Sequence, residues 1–119
     1  MEFMLFIANP PVEGSQEDSD EGMAPFIAWA EEMDARGIRK GGQRLRAPED
    51  ATLVRRRNGE LLVTDGPFIE TKEWIDGFDI IECENMEQAI EIAASHPGAL
   101  TGRVDIRAVW PIDFEEFNK

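Results

Sequence analysis

The chain of 119 residues is acidic, with 25 Asp and Glu against 12 Lys and Arg and a net charge of −13. Its length suits a single domain over residues 1–119 that encloses one core. A negative field repels phosphate backbones and anionic lipids, which argues against nucleic acids and membranes as partners. One cysteine and one histidine fall short of a disulfide or a structural zinc site, so we expect neither a metal nor another cofactor.

The first third of the chain predicts a strand, a loop and a helix. Residues 2–8, EFMLFIA, predict a strand that is apolar on both faces, and the acid at position 2 is untypical of a signal peptide, which favours a cytoplasmic protein. Residues 13–22, EGSQEDSDEG, are acidic and aperiodic and predict a surface loop. Apolar residues at helical spacing then predict a helix over about 23–36, with Pro25 in its first turn and Gly37 as its stop.

A hairpin, a strand, a helix and a strand complete the predicted order. In residues 52–64, TLVRRRNGELLVT, the Asn58-Gly59 turn predicts a hairpin in which Val54 lies opposite Val63. Residues 77–84 predict a strand, 86–95 a helix with Asn85 as its N-cap, and 103–110 a final strand. The order predicts an α+β, ferredoxin-like βαββαβ fold, an antiparallel sheet with two helices on one face and an extra central hairpin.

The other face of this sheet is predicted to be mixed in character. It would be apolar at the first strand but would carry Arg103, Asp105 and Arg107 on the last strand. Packing a second copy sheet against sheet would bury the apolar part and leave the polar part lining a cleft. We therefore predict a homodimer that forms through the sheet face.

Three stretches carry a resemblance to a known family: TDGPFIETKEWIDGFDIIE, MAPFIAWAEEMDARGIRKGGQRL before it, and MEQAIEIAASHPGA with VDIRAV after it. The chain resembles the YCII-related family, in the branch that takes its name from the Asp-Gly-Pro-Phe motif. The resemblance implies a ferredoxin-like fold of the dimeric α-β barrel type, in which two copies join through their sheets. It implies no agreed activity, although distant relatives with this fold include cofactor-free isomerases, dehalogenating enzymes and haem-degrading monooxygenases.

The chain departs from the wider family at two places. Members often carry a histidine in the first helix and an aspartate just after the second, a pair suspected of acid–base chemistry. Here the first helix has no histidine, and His96 stands about where that aspartate would be. The closing strand typically reads Val-Arg-Pro-Val in the family but Ile-Arg-Ala-Val here, which keeps the arginine as Arg107.

The Asp-Gly-Pro-Phe motif supplies the first candidate for catalysis. Asp65 is either a turn residue that caps nearby amides or a general acid or base at the end of a strand that borders the cleft. Gly66, Pro67, Phe68, Thr71 and Gly77 are interpreted as structural parts of the motif. His96 is a second catalytic candidate, although it also suits the carbonyl end of its helix.

Two basic residues are candidates for ligand binding. Lys72 is the only basic residue in 58–102 and either neutralises nearby acids or binds an anion. Arg107 either pairs with Asp105 or binds a carboxylate through its planar guanidinium. The favoured function is a protein that binds a small, anionic molecule, with cofactor-free acid–base catalysis in the dimer cleft as its enzymatic form.

The alternative is a noncatalytic accessory protein that regulates transcription through a protein partner. It rests on the family's gene neighbourhoods, which often contain extracytoplasmic-function sigma factors. Direct nucleic-acid binding is a third hypothesis, suggested by eight basic residues and only two acids over 36–57, and opposed by the net charge.

Overall fold

The structure is a computed structural model, and it describes residues 1–9, 20–66 and 74–117. Within these residues, six strands and four helices follow one another, with a 3-10 turn at Pro48–Asp50 between the second and third strands. In chain order they are β1 (Glu2–Asn9), α1 (Asp20–Ala35), β2 (Arg39–Arg44), β3 (Thr52–Arg57), β4 (Glu60–Asp65), β5 (Trp74–Glu82), α2 (Met86–Ala94), α3 (Gly98–Thr101), β6 (Arg103–Ala108) and α4 (Phe114–Phe117).

Four strands form an antiparallel sheet in the order β2-β5-β1-β6. This is the strand order of a ferredoxin-like βαββαβ fold, and β3 with β4 is the inserted hairpin, so the predicted fold class is confirmed. The sequence analysis did not identify β2, whose residues RKGGQR contain two glycines and few strand formers. That strand is defined by its pairing with β5, which is tertiary information.

The core lies between the sheet and the helices. Phe3, Leu5 and Ile7 of β1 face the helices, as the alternation of that strand predicts. The core is completed by Trp29, Met33, Ile81, Ala89, Ile92 and Ala93. Met4 and Phe6 point to the opposite face and are only half-buried, so this face of the sheet is the one that no helix covers.

Local signals fix the ends of both long helices. Asn85 caps α2 as predicted, because its side chain accepts a hydrogen bond from the Gln88 N–H at 2.9 Å. Gly37 has a φ of +70° just after α1, which suits a glycine stop. The helix α1 begins at Asp20, three residues earlier than predicted, so Pro25 lies in its second turn rather than its first.

The hairpin forms a separate two-stranded sheet, which we call the ribbon (β3 and β4). Asn58 and Gly59 have φ values of 51° and 80°, as a tight two-residue hairpin turn requires. Val54 lies opposite Val63, so the predicted register is confirmed. The last strand of the main sheet, β6, ends at Ala108, two residues earlier than predicted.

None of the helices in the described ranges is long and apolar enough to cross a membrane. The acidic loop predicted for 13–22 falls largely on residues 10–19, which lie outside the described residues.

Candidate functional site

Asp79 is a charged residue in the interior between sheet and helices. It sits on β5 opposite Leu5 of β1, so its side chain points to the same face as the core residues. Only 8% of the residue is exposed, and no other Asp or Glu in the described part of the chain is as buried. A buried carboxylate is costly unless it is paired, so its partners define the site.

Arg39 on the edge strand β2 is the cationic partner of Asp79. Its Nε donates to Asp79 Oδ1 at 2.8 Å, and its Nη1 contacts Asp34 Oδ1 at 3.3 Å. The hydrogen bond that Arg39 donates to Asp79 raises the pKa of the Arg39 guanidinium, and Asp34 adds to this effect, so Arg39 stays charged. Gly42 lies opposite Asp79 and leaves room for this pair, because a Cβ at that position would overlap Asp79 Oδ1.

His96 lies on the other side of Asp79, in the turn between α2 and α3. Its Nδ1 accepts a hydrogen bond from the backbone N–H of Gly98 at 2.8 Å, which places the imidazole proton on Nε2 when the ring is neutral. Nε2 lies 3.6 Å from Asp79 Oδ2, beyond the length of a hydrogen bond. Asp79 is therefore flanked by Arg39 at one oxygen and by His96 at the other.

Two aromatic side chains of α1 hold the imidazole ring in place. The ring centroids of Trp29 and His96 are 4.6 Å apart, those of Phe26 and His96 are 5.4 Å apart, and both contacts are edge-to-face. The indole N–H of Trp29 donates to Ser95 Oγ at 2.9 Å, which ties α1 to the end of α2 beside the histidine. His96 thus has a fixed ring orientation in an apolar surrounding.

Exposure falls along these four polar residues from the surface inward. The side chain of Asp34 is 52% exposed, that of Arg39 is 20% exposed, and those of Asp79 and His96 are 12% and 4% exposed. Asp34 and Arg39 therefore form the end of this row that is nearest to solvent. We call Arg39, Asp79 and His96 the buried polar cluster.

The buried polar cluster has one group that can exchange a proton without losing a hydrogen bond. The lone pair of His96 Nδ1 is already used by Gly98, and Asp79 Oδ1 is used by Arg39. Asp79 Oδ2 accepts no hydrogen bond from a described residue. That oxygen can take a proton, while the neutral imidazole Nε2–H beside it can donate a hydrogen bond.

The structure places the two predicted catalytic residues, Asp65 and His96, in different elements of the fold. His96 belongs to the buried polar cluster, whereas Asp65 is the last residue of the ribbon and is exposed. The described residues of its own chain therefore do not bury Asp65. Pro67, Phe68, Thr71 and Lys72 lie outside the described residues.

Both described glycines of the motif are required by close approaches of the backbone. The N–H of Gly66 donates to the carbonyl of Ala51 at 2.7 Å, and a Cβ at this position would lie 2.7 Å from the carbonyl oxygen of Pro48. A Cβ on Gly77 would lie 2.9 Å from the carbonyl oxygen of Gln43 on the neighbouring strand. The structural interpretation of these two residues agrees with this geometry.

Arg107 lies on the face of the sheet that no helix covers, opposite Met4 of β1. It is exposed and makes no ion pair with any described residue. Asp105, considered as its partner, instead contacts Arg103 Nε at 3.1 Å. Arg107 and the buried polar cluster are thus on opposite faces of the sheet.

Sequence reasoning missed Asp79 and Arg39. The available signal was Asp79, an acid that alternates with Gly77 and Ile81 on the inward side of the predicted strand. Arg39 carried no local signal, because its partner lies 40 residues away in the sequence. Among the described residues, no group of three His, Cys, Asp or Glu side chains could hold a metal ion.

The strand order and the layer of helices define a ferredoxin-like fold of the dimeric α-β barrel class. The chain belongs to the YCII-related domain family, whose model matches residues 1–113. It is 33% identical over 97 residues to an uncharacterized protein of Rhizobium meliloti (strain 1021), which covers 67% of this chain and 78% of the relative.

A solved structure of the same fold covers nearly the whole chain. It is the 5-chloro-2-hydroxyhydroquinone dehydrochlorinase of Burkholderia phenoliruptrix AC1100 in complex with 2,5-dihydroxybenzoquinone. The TM-score is 0.55 at 15% sequence identity, over 97% of this chain and 98% of the other. At this identity the likeness establishes the shared fold.

Proposed function

We propose that the protein binds a small anionic molecule at the buried polar cluster and catalyses proton transfer on it without a cofactor. The observation that carries this proposal is the position of Asp79, a buried carboxylate held between Arg39 and His96. Such a carboxylate, with one oxygen committed and one available, is the arrangement that general acid–base catalysis uses.

Each residue of the buried polar cluster has a distinct role in this proposal. Asp79 takes a proton from a hydroxyl or an acidic C–H group of the ligand and returns it after the ligand rearranges. His96 donates its Nε2–H to the oxygen on which negative charge develops, as imidazoles do in other enzymes. Gly98 holds this tautomer by its hydrogen bond to Nδ1.

The charge of the ligand follows from Arg39. Its Nε and Nη1 are bound to Asp79 and Asp34, while its Nη2 makes no hydrogen bond to any described residue. A carboxylate or phenolate can bind this nitrogen from the solvent side. The net charge of −13 opposes an anion at long range, but that field is screened over roughly 8 Å at physiological salt.

The structural neighbour suggests the first compounds to try. Its name describes the loss of chloride from a hydroxylated aromatic ring, and its complex contains a dihydroxybenzoquinone. Hydroxyquinones of this type are small, acidic and anionic near neutral pH. They therefore match the ligand class that Arg39 and Asp79 suit.

We further propose that the protein acts as a homodimer in the cytoplasm, joined through the sheet face that the helices leave open. Met4, Phe6, Phe78 and Ile80 lie on this face and are half-buried in the single chain. A second sheet would cover them. Arg107 would then lie inside the dimer, where it is the competing site for an anion.

Calorimetry with a panel of small carboxylic acids and 2,5-dihydroxybenzoquinone tests this function. Arg39→Gln and Arg107→Gln form a matched pair, since each removes one positive charge from a strand of the sheet. We expect Arg39→Gln to weaken binding about tenfold or more and Arg107→Gln to change it less than threefold. The opposite ranking would place the ligand in the dimer cleft and contradict the proposal.

The accessory role makes a different prediction. The exposed arginines of the ribbon favour an acidic protein partner, and the family's gene neighbourhoods suggest a sigma factor as that partner. If wild type binds no compound of the panel but retains a purified sigma factor in a salt-sensitive manner, the accessory role replaces the enzymatic one.

A further inference from the structure

The ribbon carries apolar side chains that remain exposed among the described residues of its own chain. Val54 and Val63 face each other across the two strands and are 66% and 59% exposed. Leu61 shares their face, and Leu62 lies on the other face, and both are exposed. Each face of the ribbon therefore presents aliphatic groups to solvent.

A two-stranded hairpin with this composition is poorly stable in water by itself. Isolated hairpins are marginal, and stability normally comes from a third strand or from a layer that covers the apolar face. Within residues 1–9, 20–66 and 74–117 the ribbon has no third strand, because it forms a sheet of its own outside the four-stranded sheet. Exposed aliphatic side chains of this kind are typical of a surface that another segment covers.

The C-terminal segment is the second uncovered apolar part of the chain. We call residues 110–117 the tail. Trp110 is 93% exposed, Phe114 is 70% exposed, and Ile112 between them is exposed as well. The tail is locally ordered, because Asp113 Oδ1 accepts from the backbone N–H of Glu115 at 3.1 Å and so caps the helix α4.

Charge makes the ribbon and the tail complementary. Arg55, Arg56 and Arg57 are consecutive on β3, are exposed, and form no ion pair with described residues. The tail carries Glu115 and Glu116 next to its exposed aromatic groups, and these side chains form no ion pair with described residues either. The two segments therefore offer matching apolar groups flanked by opposite charges.

The tail of the same copy lies at the wrong end of the sheet to meet the ribbon. The Val109 N–H donates to the Glu2 carbonyl at 2.9 Å. Pro111 lies near Glu2 and near Glu82, which is the last residue of β5. The ribbon leaves the sheet near Arg44, which pairs with Gly77 toward the other end of β5. The five residue steps from Gly77 to Glu82 span about 17 Å.

We propose that the tail of one copy packs on the ribbon of a second copy. A two-fold axis perpendicular to the strands reverses the ends of the sheet, and it brings the tail of each copy toward the ribbon end of the other. The contact is reciprocal, so it forms twice in a dimer. It lies outside the buried polar cluster, and it rests on the homodimer proposed above but not on the proposed catalysis.

Charge reversal tests this contact by analytical ultracentrifugation. The ribbon variant is Arg55→Glu with Arg56→Glu, the tail variant is Glu115→Lys with Glu116→Lys, and a third protein carries all four changes. We expect each reversal to weaken dimerisation about tenfold or more and the four-fold exchange to restore it to within about threefold. Arg36→Glu and Glu31→Lys, which are exposed positions of the α1 region, serve as controls that leave dimerisation unchanged.

Disulfide trapping identifies which copies are in contact. Arg56→Cys and Glu115→Cys are placed in separate, differently tagged proteins in which Cys83 is replaced by serine, and the two are mixed under mild oxidation. A mixed disulfide between the two tagged copies supports the proposal. A wild-type monomer at micromolar concentration, reversals without effect on the dimer, or the absence of a mixed disulfide between the tagged copies would each overturn it.

Discussion

The backbone N–H of Gly98 donates to His96 Nδ1 at 2.8 Å, and this one hydrogen bond decides which nitrogen of the imidazole faces Asp79. It leaves the Nε2–H directed at the carboxylate, 3.6 Å from Oδ2. Gly98 is suited to this position because a Cβ would lie 2.9 Å from Nδ1 and 2.7 Å from a methyl group of Ile7.

The tautomer of His96 is the first prediction. Because this is the only histidine in the chain, long-range ¹H–¹⁵N NMR reports on it without assignment. We expect the neutral form to carry its proton on Nε2 and its lone pair on Nδ1. A spectrum of the Nδ1–H tautomer would show that the hydrogen bond from Gly98 is absent in solution.

Removing the charge of Asp79 should destabilise the fold. Asp79→Asn leaves Arg39 partly buried without its anionic partner, and we expect a loss of about 1–3 kcal/mol in the free energy of unfolding, measured in urea. Asp105→Asn is the matched control, since Asp105 pairs with Arg103 on the surface. We expect that change to cost less than about 1 kcal/mol. Equal losses for the two variants would show that the Asp79–Arg39 pair stabilises the fold no more than a surface ion pair does.

Two adjacent glycines of β2 should respond differently to alanine. A Cβ at Gly42 would overlap Asp79 Oδ1 and lie 2.6 Å from the carbonyl oxygen of Phe78, whereas nothing lies within 4 Å of one at Gly41. We expect Gly42→Ala to cost about 1–3 kcal/mol in urea melts. Gly41→Ala should be neutral or stabilising by up to about 1 kcal/mol, and a larger loss for Gly41 would contradict the described packing of β2.

The thiol of Cys83 should react slowly with alkylating reagents. Burial raises the pKa of its thiol above the ordinary cysteine value, so less thiolate is present in the folded protein at a given pH. The folded state favours the neutral thiol. The contribution of this group to the free energy of unfolding is therefore fully present below the pKa of the unfolded cysteine, and it is lost as the pH rises through the higher pKa of the folded cysteine. The rate of modification by iodoacetamide should be lower in the folded protein than in urea at pH 8, and equal rates would contradict this.

The sequence predicted the parts of the fold that have local causes. The Asn58-Gly59 turn, the Asn85 cap and the alternation of β1 each act within a few residues, and each is confirmed. The strand β2 was not predicted, because its residues have low strand propensity and Gly42 is favoured only by its closeness to Phe78 and Asp79 of β5.

The buried polar cluster was only partly predictable for the same reason. His96 was predicted as a catalytic candidate. Arg39 and Asp79 were not, because they are 40 residues apart in the sequence and their local sequence resembles that of surface charges. Asp65 attracted notice because of its motif, and the structure places it on the ribbon. Its catalytic role stays a prediction, as do the ligand-binding roles of Lys72 and Arg107.

The most direct test of acid–base chemistry at the buried polar cluster is the ¹⁵N spectrum of His96 during titration with 2,5-dihydroxybenzoquinone. Asp105→Asn serves as the control variant. Binding at the cluster predicts that the Nε2 resonance shifts in wild type and in Asp105→Asn, and that the shift is lost in Asp79→Asn that remains folded by circular dichroism. A compound that binds by calorimetry yet leaves both ring nitrogens of His96 unmoved would contradict the account, because the ligand would then lie away from Asp79.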